Sequence, residues 1–269
     1  TQGIEFVLAT HEGGAGFMAD VSGRLSGAPG VCFGTFGPGA TNLATGVGSA
    51  LLDRSPVIAF TDEMPAAMRG RTTQMGIDHQ ALFKPITKAT TRLEIDRPRE
   101  IIHEAAQLAQ SEKPGPVHIG LPQGMSAEAA GVSTSPYQVL RTIPPASLQY
   151  LDQIVGYLRE AKKPLIVLGL AAVRASVAAQ VLEVAERLRS PVVLTPMAKG
   201  MLDEEHPLYA GVLFHALSDI VAETYGQADL VVAVGYDPIE FNYEQWMPPV
   251  PLLNIDTHPV DIDLELYPD

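Results

Sequence analysis

GVCFGTFGPGATNLATGVGSALLDRSPVIAFTD, residues 30–62, contains two short apolar runs separated by a helical segment. The first run, residues 30–36, predicts a strand, and residues 37–42 predict a turn into a helix that continues to about Asp53. The second run, residues 55–62, predicts another strand. Short strands joined by a helix pair in parallel, so this stretch predicts an α/β fold with helices on both faces of a sheet.

The same alternation extends along the chain and is interrupted once. Residues 125–147 are rich in Ser, Pro and Ala and lack hydrophobic periodicity, which predicts a linker. We therefore predict two doubly wound domains, each a mostly parallel sheet with helices on both faces. The remaining predicted strands are 4–9, 115–122, 164–170, 191–196, 228–235 and 251–256, and the remaining predicted helices are 97–112, 148–161, 175–189 and 215–226.

Composition narrows the possible classes of protein. The 269 residues are 46% hydrophobic and 18% charged, which is enough apolar material for a core and disfavours disorder. A net charge of -13 disfavours nucleic-acid binding. The single cysteine, Cys32, rules out an internal disulfide framework, and its apolar neighbours predict a small buried hydrophobe. We see no signal peptide or apolar run of membrane-spanning length, so we predict a cytoplasmic protein without a membrane partner.

The segment HEGGAG, residues 11–16, places a carboxylate among small residues at the start of a predicted helix. Small residues let the backbone approach a flat ligand closely, and ligands bind at this end of open α/β sheets. Apolar neighbours would raise the pKa of Glu12 and suit it to proton exchange near neutral pH. The alternative is that Glu12 only caps the helix dipole, and the residues alone leave both interpretations open.

The segment GPGATN, residues 37–42, admits two interpretations as well. Pro38 between two glycines favours a tight turn, and the free N–H groups of the following helix could bind an anion. The segment matches neither the Walker pattern nor G-x-G-x-x-G, so a plain strand-to-helix turn is the alternative. In the second domain, Arg174 either contacts a nucleotide phosphate or is a surface residue at a helix start.

Taken together, four segments of the first domain resemble the thiamine diphosphate enzymes of the acetolactate synthase and pyruvate oxidase group. The second domain resembles the central domain of the same group through KKPLIVLG, TPMAKGMLDEEHPLYAG and ADLVVAVGYDPIEF. The segment GYDPIEF, followed by Trp246, is most like the acetolactate synthases that work without flavin. The four segments of the first domain are THEGGAGFMADVSGRLSGAPGV, TFGPGATNLATGVGSALLDRSPVIAFT, QMGIDHQALFKPITK and KPGPVHIGLP.

The resemblance implies roles for individual residues. Glu12 corresponds to the catalytic glutamate that hydrogen-bonds N1′ of the cofactor's aminopyrimidine and so promotes removal of the thiazolium C2 proton. The loop containing Gln74 and Met75 corresponds to a segment that reaches toward the substrate, although biosynthetic acetolactate synthases usually have Phe-Gln there. His79 is either a polar substrate contact or a solvated loop histidine. The implied cofactor-binding residues are Thr35, Gly37, Pro38, Gly39 and Asn42.

The resemblance also implies an activity: decarboxylation of a pyruvate-like 2-oxo acid with carboligation. The alternatives are another thiamine diphosphate-dependent decarboxylase or aldehyde lyase, or a non-catalytic truncated relative. The implied cofactors are thiamine diphosphate and Mg²⁺, with flavin adenine dinucleotide (FAD) not favoured. The implied assembly is a homodimer or homotetramer whose active site lies between subunits.

The implied domains are a pyrimidine-binding domain (1–128), a linker (129–147) and a central domain (148–269). We find no Gly-Asp-Gly metal motif and hence no metal ligand in this sequence. The first elements of the pyrimidine domain and the whole diphosphate-binding domain are therefore expected outside these residues. Residues 1–269 are expected to be inactive by themselves.

Overall fold

The computed structural model describes residues 3–124, 146–213, 219–240 and 248–258. The chain divides into two compact units, Thr1–Arg141 and Thr142–Asp269. Most of the predicted linker, 129–147, lies outside the described residues. None of the described helices is both long and apolar enough to cross a membrane.

The first unit alternates helices and strands as the sequence predicts. Its strands are all parallel and lie in the order β1-β2-β4-β3. In chain order its elements are α1 (Glu12–Ser26), β1 (Gly30–Gly34), α2 (Pro38–Leu52), β2 (Val57–Glu63), α3 (His79–Phe83), β3 (Ala89–Arg92), α4 (Pro98–Gln110) and β4 (Pro116–Pro122), with 3₁₀ turns at Ala66–Met68 and Lys84–Ile86.

Both faces of this sheet are covered, as predicted. On one face, α1, α2 and α3 pack over β1 and β2 through a buried cluster that includes Leu43, Val47 and Phe83. On the other face, α4 buries Ile101 and Ala105, four residues apart, against strands β2 and β4. Cys32 is 5% exposed inside the first cluster, which confirms its interpretation as a buried hydrophobe.

Helices α1 and α2 cross at unusually close range because glycine faces glycine. A Cβ placed on Gly46 would lie 2.7 Å from the Cα of Gly16, and one placed on Gly16 would lie 2.9 Å from the Cα of Gly46. No larger residue fits at this crossing without moving backbone atoms. The crossing therefore holds the N-terminal turns of the two helices side by side, and these turns carry Glu12 and Asn42.

The second unit repeats the architecture. Its five parallel strands lie in the order β7-β6-β5-β8-β9, in which the chain runs outward from β5 in one direction and then resumes on its other side, the arrangement of a doubly wound sheet. Buried clusters lie on both faces. Its elements are α5 (Leu148–Glu160), β5 (Pro164–Leu168), α6 (Leu170–Ala175), α7 (Ala178–Leu188), β6 (Val192–Leu194), β7 (Tyr209–Val212), α8 (Asp219–Gln227), β8 (Leu230–Val234) and β9 (Leu252–Ile255), with a 3₁₀ turn at Pro196–Ala198.

One predicted strand is wrong, and one short helix was missed. Residues 4–9 form no strand: Ile4 is 84% and Leu8 85% exposed, and no described strand pairs with this segment. An apolar segment becomes a strand only where a sheet edge accepts its hydrogen bonds. The predicted helix 175–189 is observed as α7, Ala178–Leu188, whereas the short helix α6 before it was missed. Helix α6 ends at Ala175 because Ser176 adopts the left-handed conformation (φ 55°, ψ 40°). Arg174 consequently lies half-buried in the last turn of α6, not at a helix start.

Candidate active site

Glu12 is the first residue of α1 and is half-buried. The preceding His11 caps the helix, its Nδ1 accepting the Gly13 N–H at 3.0 Å. The Asn42 side chain donates from Nδ2 to Glu12 Oε2 at 3.1 Å. The backbone N–H of Glu12, then the Asn42 amide, lowers the pKa of the Glu12 carboxyl below its usual value. The expected rise in this pKa is therefore wrong, because hydrogen bonds to the charged form outweigh desolvation.

The turn between β1 and α2 faces this carboxylate. Gly37 caps α2 with φ 53° and Pro38 occupies the first helical turn, so GPGATN is the strand-to-helix turn that the sequence allowed. A Cβ on Gly39 would lie 2.8 Å from Thr35 Cγ2 and 3.5 Å from Glu12 Oε1. A side chain at Gly39 would therefore crowd Thr35 and approach the carboxylate, so only bare backbone lies beside Glu12 here. Glu12, Thr35, Gly39 and Asn42 come together at one edge of the unit.

The predicted substrate loop lies against the same turn. A Cβ on Gly37 would lie 2.9 Å from the Met75 carbonyl oxygen, so Met75 contacts the turn closely, while Gln74 is exposed. His79, the first residue of α3, is only 2% exposed, and its Nε2 accepts the Gly37 N–H at 3.2 Å. The interpretation of His79 as a solvated loop histidine is therefore wrong. Its role as a substrate contact stays a prediction.

Two family models match the chain. The model described as "Thiamine pyrophosphate enzyme, N-terminal TPP binding domain" matches residues 1–82, and "Thiamine pyrophosphate enzyme, central domain" matches residues 151–269. Together they account for well over half of the chain. The chain belongs to the thiamine pyrophosphate enzymes. Thiamine pyrophosphate is another name for thiamine diphosphate, the cofactor of the enzymes that the sequence resembles. The two matched models describe an N-terminal and a central domain of this family.

Curated relatives of this thiamine pyrophosphate enzyme include acetolactate synthases. The acetolactate synthase isozyme 1 large subunit of Escherichia coli (strain K12) is 34% identical over 260 residues, 94% of this chain and 46% of that protein. The acetolactate synthase of Bacillus subtilis (strain 168) is 30% identical over 275 residues, 100% of this chain and 48% of that protein. A probable 2-ketoarginine decarboxylase, AruI, of Pseudomonas aeruginosa is 35% identical over 283 residues, 99% of this chain and 47% of that protein. The chain spans about half the length of the curated relatives it matches.

The residues of this thiamine pyrophosphate enzyme fit the aminopyrimidine half of the cofactor. A Cβ would intrude in front of Glu12 Oε1 at Gly39, whereas a Cβ on Gly14 would meet nothing within 4 Å. Bare backbone at Gly39 thus adjoins a carboxylate that Asn42 holds in place. Among the described residues, no group of three or more His, Cys, Asp or Glu side chains could hold a metal ion.

A chain of buried polar groups, which sequence reasoning missed, continues from His79 into the sheet. His79 Nδ1 lies 2.9 Å from Thr61 Oγ1, and the same hydroxyl lies 2.8 Å from Nε2 of His118. His118 Nδ1 lies 2.7 Å from Thr90 Oγ1. Burial lowers the pKa of His118 to about 3 and also lowers the pKa of His79. Both histidines are therefore neutral at physiological pH.

The polar chain ends at an ion pair. Thr90 Oγ1 donates to Gln80 Oε1 at 2.8 Å, and Gln80 Nε2 donates to the carboxylate of Glu63, which also pairs with the Arg92 guanidinium. Glu63, His79 and Arg92 line a pocket of about 400 Å³, completed by residues of the loop 64–78. The signal in the sequence was a histidine inside the apolar run PVHIGLP, together with Thr61 and Thr90 on flanking strands.

In the second unit of this thiamine pyrophosphate enzyme, a carboxylate occupies the crevice where doubly wound sheets bind nucleotide phosphates. Glu240 Oε2 accepts the Leu170 N–H at the start of α6 (2.8 Å), and Oε1 accepts the Thr195 hydroxyl (2.6 Å). Burial raises the pKa of Glu240 above its usual value. The Glu240 carboxylate thus satisfies the N–H group at the start of α6 and the hydroxyl of Thr195.

Proposed function

We propose that this protein decarboxylates a pyruvate-like 2-oxo acid and ligates the product to a second carbonyl compound, as an acetolactate synthase-like enzyme that uses thiamine diphosphate and Mg²⁺. The observation that carries the proposal is the Glu12 carboxylate, held by Asn42 at the start of α1 opposite the bare backbone of Gly39. The acetolactate synthases among its relatives support the choice of reaction.

When bound, thiamine diphosphate supplies a nucleophilic carbon that attacks the substrate carbonyl. Glu12 would hydrogen-bond the ring nitrogen of the aminopyrimidine, as a donor while the carboxyl is protonated and as an acceptor once the ring nitrogen has taken the proton. The lowered pKa of Glu12 favours the second form, in which the carboxylate is ionised. Asn42 keeps Oε2 in a fixed orientation. Thr35, Gly37, Pro38 and Gly39 would form the backbone wall against which the flat ring lies.

The substrate side of the site is proposed to be the loop that carries Gln74 and Met75, together with His79. Arg69 and Arg71 line the pocket beside this loop and are exposed, and guanidinium groups bind carboxylates well. A 2-oxo acid offers such a carboxylate. The loop and the pocket therefore support a small carboxylic acid as substrate.

Further features belong to the proposal. The ligands of Mg²⁺ would lie outside the described residues, and flavin is not favoured, because the Glu240 carboxylate already accepts the Leu170 N–H at the start of α6. The active form would be a homo-oligomer, a dimer or a tetramer, with each site completed by a neighbouring subunit. The single buried thiol of Cys32 is consistent with a reducing, cytoplasmic location.

The test compares two carboxylates that stand in the first turns of helices. In protein that includes the expected diphosphate-binding domain, Glu12→Gln should reduce pyruvate consumption in the presence of thiamine diphosphate and Mg²⁺ by about 10²–10⁴-fold, the usual contribution of a proton-transferring group. Glu100→Gln is the matched control, because Glu100 lies in the first turn of α4. If Glu12 only caps its helix, both variants will keep full turnover and differ from the wild type only slightly in stability.

A second candidate activity is decarboxylation of a different 2-oxo acid without carboligation. The probable 2-ketoarginine decarboxylase among the relatives favours it at 35% identity. Product analysis separates the two activities. Carboligation to a second 2-oxo acid yields a longer 2-hydroxy-3-oxo acid and carboligation to an aldehyde yields a 2-hydroxy ketone, whereas simple decarboxylation yields an aldehyde. Absence of turnover with every 2-oxo acid tested, in protein that binds no thiamine diphosphate, would support the non-catalytic relative.

A further inference from the structure

The buried polar chain of the first unit has a fixed direction. Its first member, the Gly37 N–H, can only donate, so Nε2 of His79 must carry no proton. The ring proton of neutral His79 is therefore on Nδ1 and is donated to the Thr61 hydroxyl. Thr61 in turn has one hydrogen to give, and its remaining neighbour is Nε2 of His118.

In the second half of the buried polar chain, the hydrogen bonds are donated in the same direction. Because His118 accepts at Nε2, its proton is on Nδ1 and is donated to Thr90. Thr90 donates to the Gln80 carbonyl, and the Gln80 amide donates to Glu63, a carboxylate that can only accept. A donor-only group at one end and an acceptor-only group at the other permit a single arrangement of protons along the chain.

The turn at the start of the chain is the one that faces Glu12. Gly37 has φ 53° and ψ -111°, and its N–H is buried and bonded to His79 rather than to a side-chain cap of α2. Its neighbour Gly39 lies in front of Glu12 Oε1, and Asn42, one turn further along α2, holds Oε2. Gly37 therefore lies at the start of the turn and helix that place Gly39 in front of Glu12 and bring Asn42 to its carboxylate.

We propose that Thr61 and His118 are positioning residues: their one-way hydrogen bonds hold His79 as the Nδ1–H tautomer, so that its Nε2 fixes Gly37 and thereby the turn in front of Glu12. Neither residue contacts the proposed cofactor. They act through His79. The predicted effect on cofactor binding rests on the proposed function. The predicted effect on the hydrogen bond of the Gly37 amide does not.

The experiment uses three threonine variants of the purified protein. Thr61→Val keeps the shape of a fully buried side chain and removes its hydroxyl, which leaves His79 Nδ1 and His118 Nε2 without their shared partner. Thr61→Ser restores the hydroxyl. Thr195→Val is the matched control, because it removes an equally buried threonine hydroxyl from the second unit. Hydrogen exchange of residues 36–42 and the Kd of thiamine diphosphate are measured for each variant.

Thr61→Val should accelerate exchange of the Gly37 amide by roughly tenfold and raise the Kd of thiamine diphosphate by a similar factor, the usual effect of one hydrogen bond. Thr61→Ser should restore both values, and Thr195→Val should change neither. Unchanged exchange at Gly37 in Thr61→Val would overturn the proposal. If the wild type binds no thiamine diphosphate, the proposed function fails, while the exchange data still decide whether Thr61 positions Gly37.

A measurement on the wild type covers the case in which Thr61→Val does not fold. Nitrogen-15 NMR of the imidazole rings at neutral pH should show both His79 and His118 as neutral Nδ1–H tautomers. The more usual Nε2–H tautomer, or a protonated ring, at either position would be incompatible with the direction of these hydrogen bonds and would refute the positioning role.

Discussion

Replacing Gly46 by alanine tests whether the close crossing of α1 and α2 is required. The added Cβ would lie 2.7 Å from Gly16 Cα and 2.8 Å from both Gly16 C and Phe17 N. All three are backbone atoms, so no side chain can turn away and the helices must separate. Overpacking of this kind costs about 1–3 kcal/mol, and three backbone contacts place Gly46→Ala near the upper end of that range.

Gly48→Ala is the matched control because it lies on the same helix. Its Cβ would meet only Ile86 Cγ2 at 3.8 Å, an ordinary contact. Both substitutions gain the same helix propensity, about 1 kcal/mol, so this contribution cancels when the two variants are compared. Gly46→Ala should be less stable than Gly48→Ala by about 3 kcal/mol, and Gly48→Ala should be more stable than the wild type.

Urea unfolding followed by circular dichroism measures the difference. With a slope of about 1–3 kcal/mol per molar urea, the midpoints should differ by roughly 1 M or more. Separation of the helices would also pull Asn42 away from Glu12, so Gly46→Ala should bind thiamine diphosphate more weakly. Equal midpoints for the two variants would show that the helices separate at little cost, and the argument from the glycine contacts would be refuted.

Three further outcomes are expected. Since the folded-state pKa of His118 lies near 3, below the 6.5 of the unfolded chain, the unfolded state binds protons first and stability falls as the pH drops below about 6.5. His118 should contribute about 2 kcal/mol to the loss between pH 7 and 5, measured by chemical denaturation, and His118→Gln should lack this contribution while keeping the loss that His79, whose pKa is also lowered, adds in the same range. Cys32, whose pKa burial raises to about 12, should resist iodoacetamide in the native protein and react once urea unfolds it; rapid native labelling would contradict its burial. Gly39→Ala should weaken thiamine diphosphate binding, measured by titration calorimetry, with little change in melting temperature, because its Cβ would point at Thr35 and Glu12; unchanged affinity would place the ring elsewhere.

Most of the fold could be predicted because its elements carry local signals. The turn before Pro38 and the apolar runs of β2, β4, β5 and β8 gave boundaries within a few residues of the observed ones. The elements that were missed are short. Helix α3 has five residues and strand β7 four, too few for a period to emerge, and β3 (ATTR) is polar because its side chains serve the buried polar chain.

The prediction of a strand at residues 4–9 failed for the opposite reason. The local signal of this segment was strong, but a strand also needs a partner strand, and pairing is not encoded within the segment itself.

The candidate site was predictable as a set of positions and less so in its electrostatics. Glu12, the Gly37–Asn42 turn and Met75 were identified from motifs, and the structure brings them together. The pKa of Glu12 was predicted in the wrong direction, because the sequence showed its apolar neighbours and concealed the amide of Asn42, thirty residues away. His118 was hidden in the same way, since only folding brings Thr61 and Thr90 to its two nitrogens.

The glycine-to-glycine crossing has a consequence for how the site tolerates mutation. By holding two helix starts together, it brings the positive ends of two macrodipoles, each equivalent to about half an elementary charge, to the same carboxylate. The negative charge of Glu12 is thus balanced by peptide groups, without a lysine or arginine. Surrounding side chains other than Asn42 can vary while this stabilisation persists, since the backbone dipoles remain. The stabilisation of this charge is therefore most sensitive to substitution at two positions, Gly16 and Gly46, which do not contact the carboxylate.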